Sequence, residues 1–162
     1  MGLKRGCRGI WIVPLLLAAD RITKMAAVAL NGERVLIPGV INARYVQNTG
    51  IAFSMFSGGG AGIILLTVLM IAAILVWLLV RPDESRLFRT GLWLIAAGGL
   101  GNLYDRLVYG YVIDFIETVF VRFAVFNIAD VCICTGAGLA ILALFMEEMN
   151  SKNRPKGNEH AE

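Results

Sequence analysis

The chain has a single histidine, His160, near its C-terminal end. With no other imidazole, a Ser–His–Asp triad is excluded by composition. Cysteine is almost as scarce. Cys7 lies in a basic N-terminal flank, and Cys132 and Cys134 stand two apart inside an apolar run. A Cys-x-Cys pair on a helix points to different faces, so these read as small packing residues, without a disulfide framework or redox role. Metal sites draw on His, Cys or several clustered acids, so no metal or other cofactor is expected. Two aspartates with asparagines would hold a hard cation only weakly. Ser54 and Ser57 have no spacing that ties them to Lys24 as a Ser–Lys pair. Basic patches interleaved with aromatics are also missing, which excludes nucleic acid as a partner despite a net charge of +3. No internal repeat or low-complexity tract is present.

What the chain has in excess is apolar residues, 57% of 162, with a mean hydropathy of +0.70. That exceeds the half or so of a soluble domain and predicts a single polytopic membrane domain. Lys4, Arg5 and Arg8 precede an apolar run that continues through Asp20-Arg21-Ile22-Thr23-Lys24, so a first spanning helix over about 10–30 is favoured over a cleavable signal peptide. Asp20 and Lys24 are four apart and share a face. Residues 61–80 carry no charge, enough to cross ~30 Å of hydrocarbon at ~1.5 Å per residue. A third span is expected over 90–108, rich in small residues that allow close helix approach. A fourth follows over 126–146. Residues 31–57 break the apolar pattern with turn signals and β-favouring runs, and predict a small antiparallel sheet at the membrane surface. Residues 109–125 read as an interfacial segment or short half-helix, and 148–162 as a disordered polar tail.

Arginines and lysines cluster beside the ends of these runs, at Lys4–Arg8, Arg81–Arg89 and Lys152–Lys156. The positive-inside rule then places both termini in the cytoplasm, with the first and third helices running outward. Asp105 lies 16 residues beyond Arg89 and Asp130 lies 16 before Met146, ~24 Å from the cytoplasmic edge. Asp20 comes out at ~18 Å by the same rise. Polar residues of three helices therefore converge in the outer leaflet, where unpaired polar groups cost several kcal/mol each.

The chemistry left for such a site is that of paired acids. Two nearby carboxylates in a low dielectric share a proton, so that one can activate water while the other protonates or hydrogen-bonds a carbonyl. Asp105, beside Arg106, is expected to form a structural pair with it. Asp130 alone reads equally as a helix-entry cap or a counter-ion for Arg106, and Asp114 alone as a solvated loop acid. A small transporter using the acids as a proton relay is the rival reading. It would spread acids over successive depths, whereas these cluster at one level.

Five motifs occur in order: Asp20-x-x-Thr23-Lys24; Asn48-Thr49-Gly50-x-Ala52-Phe53; Gly98-Gly99-x-Gly101-Asn102-Leu103-x-Asp105-Arg106; Val112-x-Asp114-Phe115; and Phe126-Asn127-x-Ala129-Asp130. Together they resemble bacterial lipoprotein signal peptidase (signal peptidase II), over about residues 10–146. The resemblance implies an aspartic endopeptidase of the bacterial cytoplasmic membrane that cuts prolipoproteins just before a diacylglyceryl-modified cysteine. It implies four transmembrane helices with an extracytoplasmic sheet and a half-helix, and a site near the outer leaflet in contact with membrane lipid. Asp114 and Asp130 match the family's catalytic pair, and Asn48, Asn102, Arg106 and Asn127 its substrate-contacting positions. Asp20, Lys24 and Asp105 match supporting positions. Globomycin-type antibiotics, which block the family, are expected to bind. Ile51 and Val131 depart from residues common in the family and bear on pocket shape and inhibitor affinity.

Overall fold

The computed structural model describes residues 9–30, 32–50 and 60–152. Within them lie four helices, α1 (Ile12–Val28), α2 (Gly60–Val80), α3 (Arg86–Tyr109) and α4 (Ile128–Lys152), and three strands, β1 (Glu33–Ile37), β2 (Ile41–Asn48) and β3 (Val112–Thr118). Cys7, Ile51, Ser54, Ser57 and His160 fall outside the described residues, as does most of the expected tail.

Each helix begins and ends where its local chemistry dictates. In α1, Pro14 sits in the first turn, where its missing N–H costs no internal bond. Ser85 caps α3 by accepting from the Phe88 N–H at 3.2 Å. That helix stops at Gly110, whose φ of +81° lets its N–H turn back to the Arg106 carbonyl. The start of α4 is a reciprocal cap: Asn127 Oδ1 accepts from the Asp130 N–H, and the Asp130 carboxylate accepts from the Asn127 N–H. The helix then runs past Met146 to Lys152, so residues 148–152, expected in the tail, are helical; Glu148 and Lys152 pair across one turn at 2.7 Å.

Two of these helices, α2 and α4, are long and apolar enough to cross a membrane. Leu65, Leu66, Leu69 and Val76 of α2 point away from the protein, as lipid-facing side chains would. The small residues of α3 meet α4 backbone to backbone. A Cβ on Gly91 would lie 2.6 Å from the Gly136 carbonyl, and one on Gly98 would collide with the Ala129 carbonyl. This contact sets the start of α4 directly against the middle of α3.

The sheet has the order β1-β2-β3, antiparallel throughout. The half-helix expected within 109–125 is not found there: β3 occupies Val112–Thr118, and 119–127 carries no helix. The strand is favoured because Val112, Ile113 and Ile116 are β-branched and the backbone has two partners. β2 lies on one side, and Phe126 bridges to Ile116 on the other. β1 and β2 occupy most of the predicted 31–57 sheet, whose last part is not described.

Candidate active site

At the end of the helices nearest the sheet, Lys24 is the hub. Its ammonium is fully buried, 2.9 Å from Asp20 Oδ2 and 2.8 Å from Asp105 Oδ2. It donates a third contact to Asn102 Oδ1 at 3.0 Å. Three acceptors for three N–H bonds satisfy the group fully, which a buried cation requires. Asp20 Oδ1 in turn accepts from the Ala129 N–H at 3.1 Å, tying α1 to the exposed donors of the first turn of α4. Gly101 leaves room for this, since a Cβ there would lie 2.9 Å from Asp20 Oδ2.

Asp105 does not pair with Arg106 as expected. Its partners are Lys24 and Arg21, the latter at 2.7 Å, and it accepts from the Ile113 N–H at 3.2 Å. Consecutive residues on a helix point about 100° apart, so Asp105 faces α1 while Arg106 turns toward the sheet. There Arg106 donates to the Gly50 carbonyl at 2.7 Å. Arg21 was not anticipated as part of the site. Its guanidinium meets Asp105 off the hydrogen-bond axis and stacks on the Tyr104 ring, 4.9 Å from its centroid. Its position three residues before Lys24 was the signal, since the two cations share the face that meets Asp105.

Two carboxylates remain beyond this ion cluster, and asparagines hold both. Asn102 presents its amide oxygen to Lys24 and to Asn127, so its NH₂ faces the other way, donating to Asp130 Oδ1 at 2.8 Å. Asn127 donates through its side chain to Asp114 Oδ1 at 2.6 Å and through its backbone to Asp130 Oδ2 at 3.1 Å. Asn48 donates to Asp114 Oδ2 at 2.9 Å. It reaches from β2 because its strand partner is Val112, two residues before Asp114 and on the same face. Asn48 Oδ1 also accepts from the Gly50 N–H, so Gly50 is gripped by Asn48 on one side and Arg106 on the other.

Asp114 is no solvated loop acid: it is 1% exposed, on β3. Burial pushes its pKa from an ordinary 3.8 up to about 6; the amide bonds from Asn48 and Asn127 offset part of this, and the Asp130 charge adds to it. A cleft of about 730 Å³ opens onto it, lined among others by Asn48, Val46, Glu117, Thr118 and Phe123. All nine predicted site residues thus join one network, with Asp114 and Asp130 at its open end and Asp20, Lys24 and Asp105 beneath. Among the described residues no cluster of His, Cys, Asp and Glu is arranged to hold a metal ion. What the arrangement offers is two carboxylates that accept from the side-chain amides of Asn48, Asn102 and Asn127, with Asp114 in the wall of the cleft.

Three comparisons bear on this geometry. The family model described as "Signal peptidase (SPase) II" matches residues 12–146. The chain is 37% identical to a lipoprotein signal peptidase of Streptococcus pyogenes serotype M5 (strain Manfredo) over 137 residues, 83% of this chain and 90% of that one. It is 40% identical to that of Streptococcus thermophilus (strain CNRZ 1066) over 127 residues, 78% and 83% of the two chains. A solved structure titled as a bacterial membrane enzyme obtained by the in meso method at 2.3 Å superposes with a TM-score of 0.82, at 27% identity over 93% of each chain. A second, under the same title at 1.9 Å, gives 0.76 at 30% identity, covering 83% of this chain and 90% of that one.

Proposed function

The chain belongs to the signal peptidase II family, aspartic endopeptidases of the membrane that remove signal peptides from prolipoproteins, and from that premise we propose that Asp114 and Asp130 are its catalytic pair. One observation carries the assignment: Asn127 hydrogen-bonds both carboxylates, one through its side chain and one through its backbone. A single residue thereby fixes the two acids relative to each other.

The pair holds one proton between two carboxylates, because both cannot ionise at close range in a low dielectric. The ionised member takes a proton from water as its oxygen bonds to the scissile carbonyl carbon. The protonated member gives its proton to the carbonyl oxygen. Collapse of the tetrahedral adduct breaks the C–N bond: the amine leaves with a proton from the first carboxyl, the second carboxylate takes back the hydroxyl proton as the C=O re-forms, and the pair returns to its starting charge. Asn48, Asn102 and Asn127 keep the carboxylates oriented through these exchanges, and Arg106 holds the Gly50 turn beside the peptide.

The scissile bond precedes a diacylglyceryl-modified cysteine. The protein is a single domain with four spans and both termini cytoplasmic in the bacterial inner membrane, its site near the outer leaflet. Arg81, just after α2, and Arg86 and Arg89, in the first turn of α3, support that orientation. α1 and α3 span despite their charges, because Lys24 and Arg21 neutralise Asp20 and Asp105 within the bundle. An apolar cavity of about 530 Å³ between α1 and α3, lined by Leu17, Leu100, Leu103 and Leu107, supports contact with acyl chains. Globomycin-type peptides fit the reading as occupants of the cleft.

The test is cleavage of a purified diacylglyceryl-modified prolipoprotein, with and without globomycin, by the wild-type protein and by Asp114→Asn and Asp130→Asn. Wild type is expected to release the signal peptide unless inhibitor is present, and both variants to release none. Full cleavage by either variant overturns the pair.

A further inference from the structure

Both cations of the buried cluster come from α1, and they lead to different acids of the pair. Lys24 acts on Asp130 through Asn102. Arg21 meets the other side of Asp105, its Nη1 2.7 Å from Oδ1, while Lys24 takes Oδ2 at 2.8 Å. Asp105 Oδ2 also accepts from the N–H of Ile113, the residue directly before Asp114, at 3.2 Å. The Ile113 carbonyl accepts from the Asn127 side chain at 3.3 Å, so both backbone groups of this residue are held.

All three guanidinium nitrogens of Arg21 are buried, and among the described residues none has a hydrogen bond of proper geometry. A buried polar group in that state calls for a reason. Charge and two aromatic rings keep it in place, the Tyr104 centroid at 4.9 Å and the Tyr109 centroid at 6.0 Å. Tyr109 carries the contact around the α3–β3 turn. It packs on Tyr111 across the left-handed Gly110, centroid to centroid 6.1 Å, and the Tyr111 hydroxyl meets that of Tyr45 on β2 at 3.1 Å. Arg21 therefore grips the segment that carries Asp114 by two routes, through Asp105 to Ile113 and through the tyrosines to Tyr111. Without a cation at Oδ1, the Asp105 carboxylate is free to turn both oxygens toward Lys24, and the Ile113 N–H loses its acceptor.

We propose that Arg21 is a positioning residue for Asp114, acting through Asp105 and the tyrosines, as Lys24 acts on Asp130 through Asn102. One helix, α1, thereby sets where each acid stands relative to the other. The inference rests on the assignment of Asp114 to the catalytic pair.

Two variants of the full chain test it. Arg21→Met keeps a long apolar stem and removes the charge. It is expected to lower kcat on diacylglyceryl-modified prolipoprotein on the order of 10²-fold, the cost of misplacing a reacting group by ~1 Å, with KM unchanged. Amide hydrogen exchange at Ile113 is expected to quicken in the same variant, while Ala129, whose N–H is held by Asp20, exchanges as in wild type. Arg21→Lys returns a donor to Asp105 Oδ1 and is expected to recover about tenfold of the lost kcat, the worth of one hydrogen bond to a charged group. A methionine variant with wild-type kcat, or one whose Ile113 amide exchanges as in wild type, overturns the proposal. So does a lysine variant that folds with kcat reduced 10²-fold, and that result can be read even where Arg21→Met does not fold. Failure of the catalytic pair would show instead as cleavage by Asp114→Asn, a residue that both variants leave in place.

Discussion

Lys24 Nζ lies 3.0 Å from Asn102 Oδ1, and that contact decides which end of the asparagine amide faces Asp130. A cation can only donate, so it claims the oxygen and turns the NH₂ toward the carboxylate. A fully buried charge thus acts on the Asp130 carboxylate through Asn102, without touching Asp130 itself.

Replacing Lys24 by methionine is expected to destabilise the protein by ~3–5 kcal/mol, because Asp20 and Asp105 lose their shared cation while buried. Unfolding in detergent or mixed micelles measures it. A variant as stable as wild type would show that the cluster is not the keystone described.

Arg106→Ala is expected to cost less, at most the ~1.5–3 kcal/mol of a charged hydrogen bond, because Asp105 keeps both Lys24 and Arg21. Its larger effect is expected in catalysis, through release of the Gly50 turn. Side-by-side unfolding of Arg106→Ala and Lys24→Met checks the order.

Asn127→Ala removes the helix cap and the amide that holds Asp114. The cap accounts for ~1 kcal/mol of stability. Cleavage is expected to fall on the order of 10²–10⁴-fold, the range of general acid–base catalysis, since Asp114 loses its amide partner while the backbone bond to Asp130 survives in alanine. Initial rates on prolipoprotein, set against the unfolding midpoint, separate the two effects.

The pH dependence of stability carries a sign. Asp114 titrates near 6 when folded and near 3.8 ordinarily, so between these values the folded protein holds a proton that the unfolded chain has lost. Stability from this group is therefore fully present below about pH 4 and lost as pH rises through about 6, by ~3 kcal/mol in all at 1.36 kcal/mol per pKa unit. Asp114→Asn is expected to flatten the slope in that window, and unfolding at a series of pH values reads it directly.

Gly98→Ala places a methyl group against the Ala129 carbonyl, and no flexible side-chain end is there to yield. A loss of ~1–3 kcal/mol is expected from the overpacking. Activity is expected to fall further than stability does, because Asp130 rides on the same turn of α4. Measurement of kcat at a temperature where the variant remains folded tests this.

The helices were legible because apolar runs of spanning length are hard to mistake, and so was the meeting of polar residues from three of them. β3 was not. Val112, Ile113, Asp114 and Phe115 are all buried, so both faces of the strand are covered and the alternation that marks a half-exposed strand never appears. Adjacency in the sequence misled in the case of Arg106, since neighbours on a helix do not share a face. Arg21 was overlooked because Asp20 and Lys24 already made a complete i,i+4 pair without it. The residues alone left the choice among Asp105, Asp114 and Asp130 open. Family resemblance made that choice, and the asparagine network is its physical counterpart.

The reciprocal cap at the start of α4 limits how far this protein can be improved. At most helix starts the acidic member of such a box is interchangeable, and exchanging it is a routine way to raise thermal tolerance. Here that acid is Asp130. Glutamate, the commoner choice, would satisfy the Asn127 N–H from one methylene further out and carry the carboxylate away from Asn102. Directed evolution toward a hardier enzyme is therefore expected to leave this helix start untouched and to accumulate its changes elsewhere.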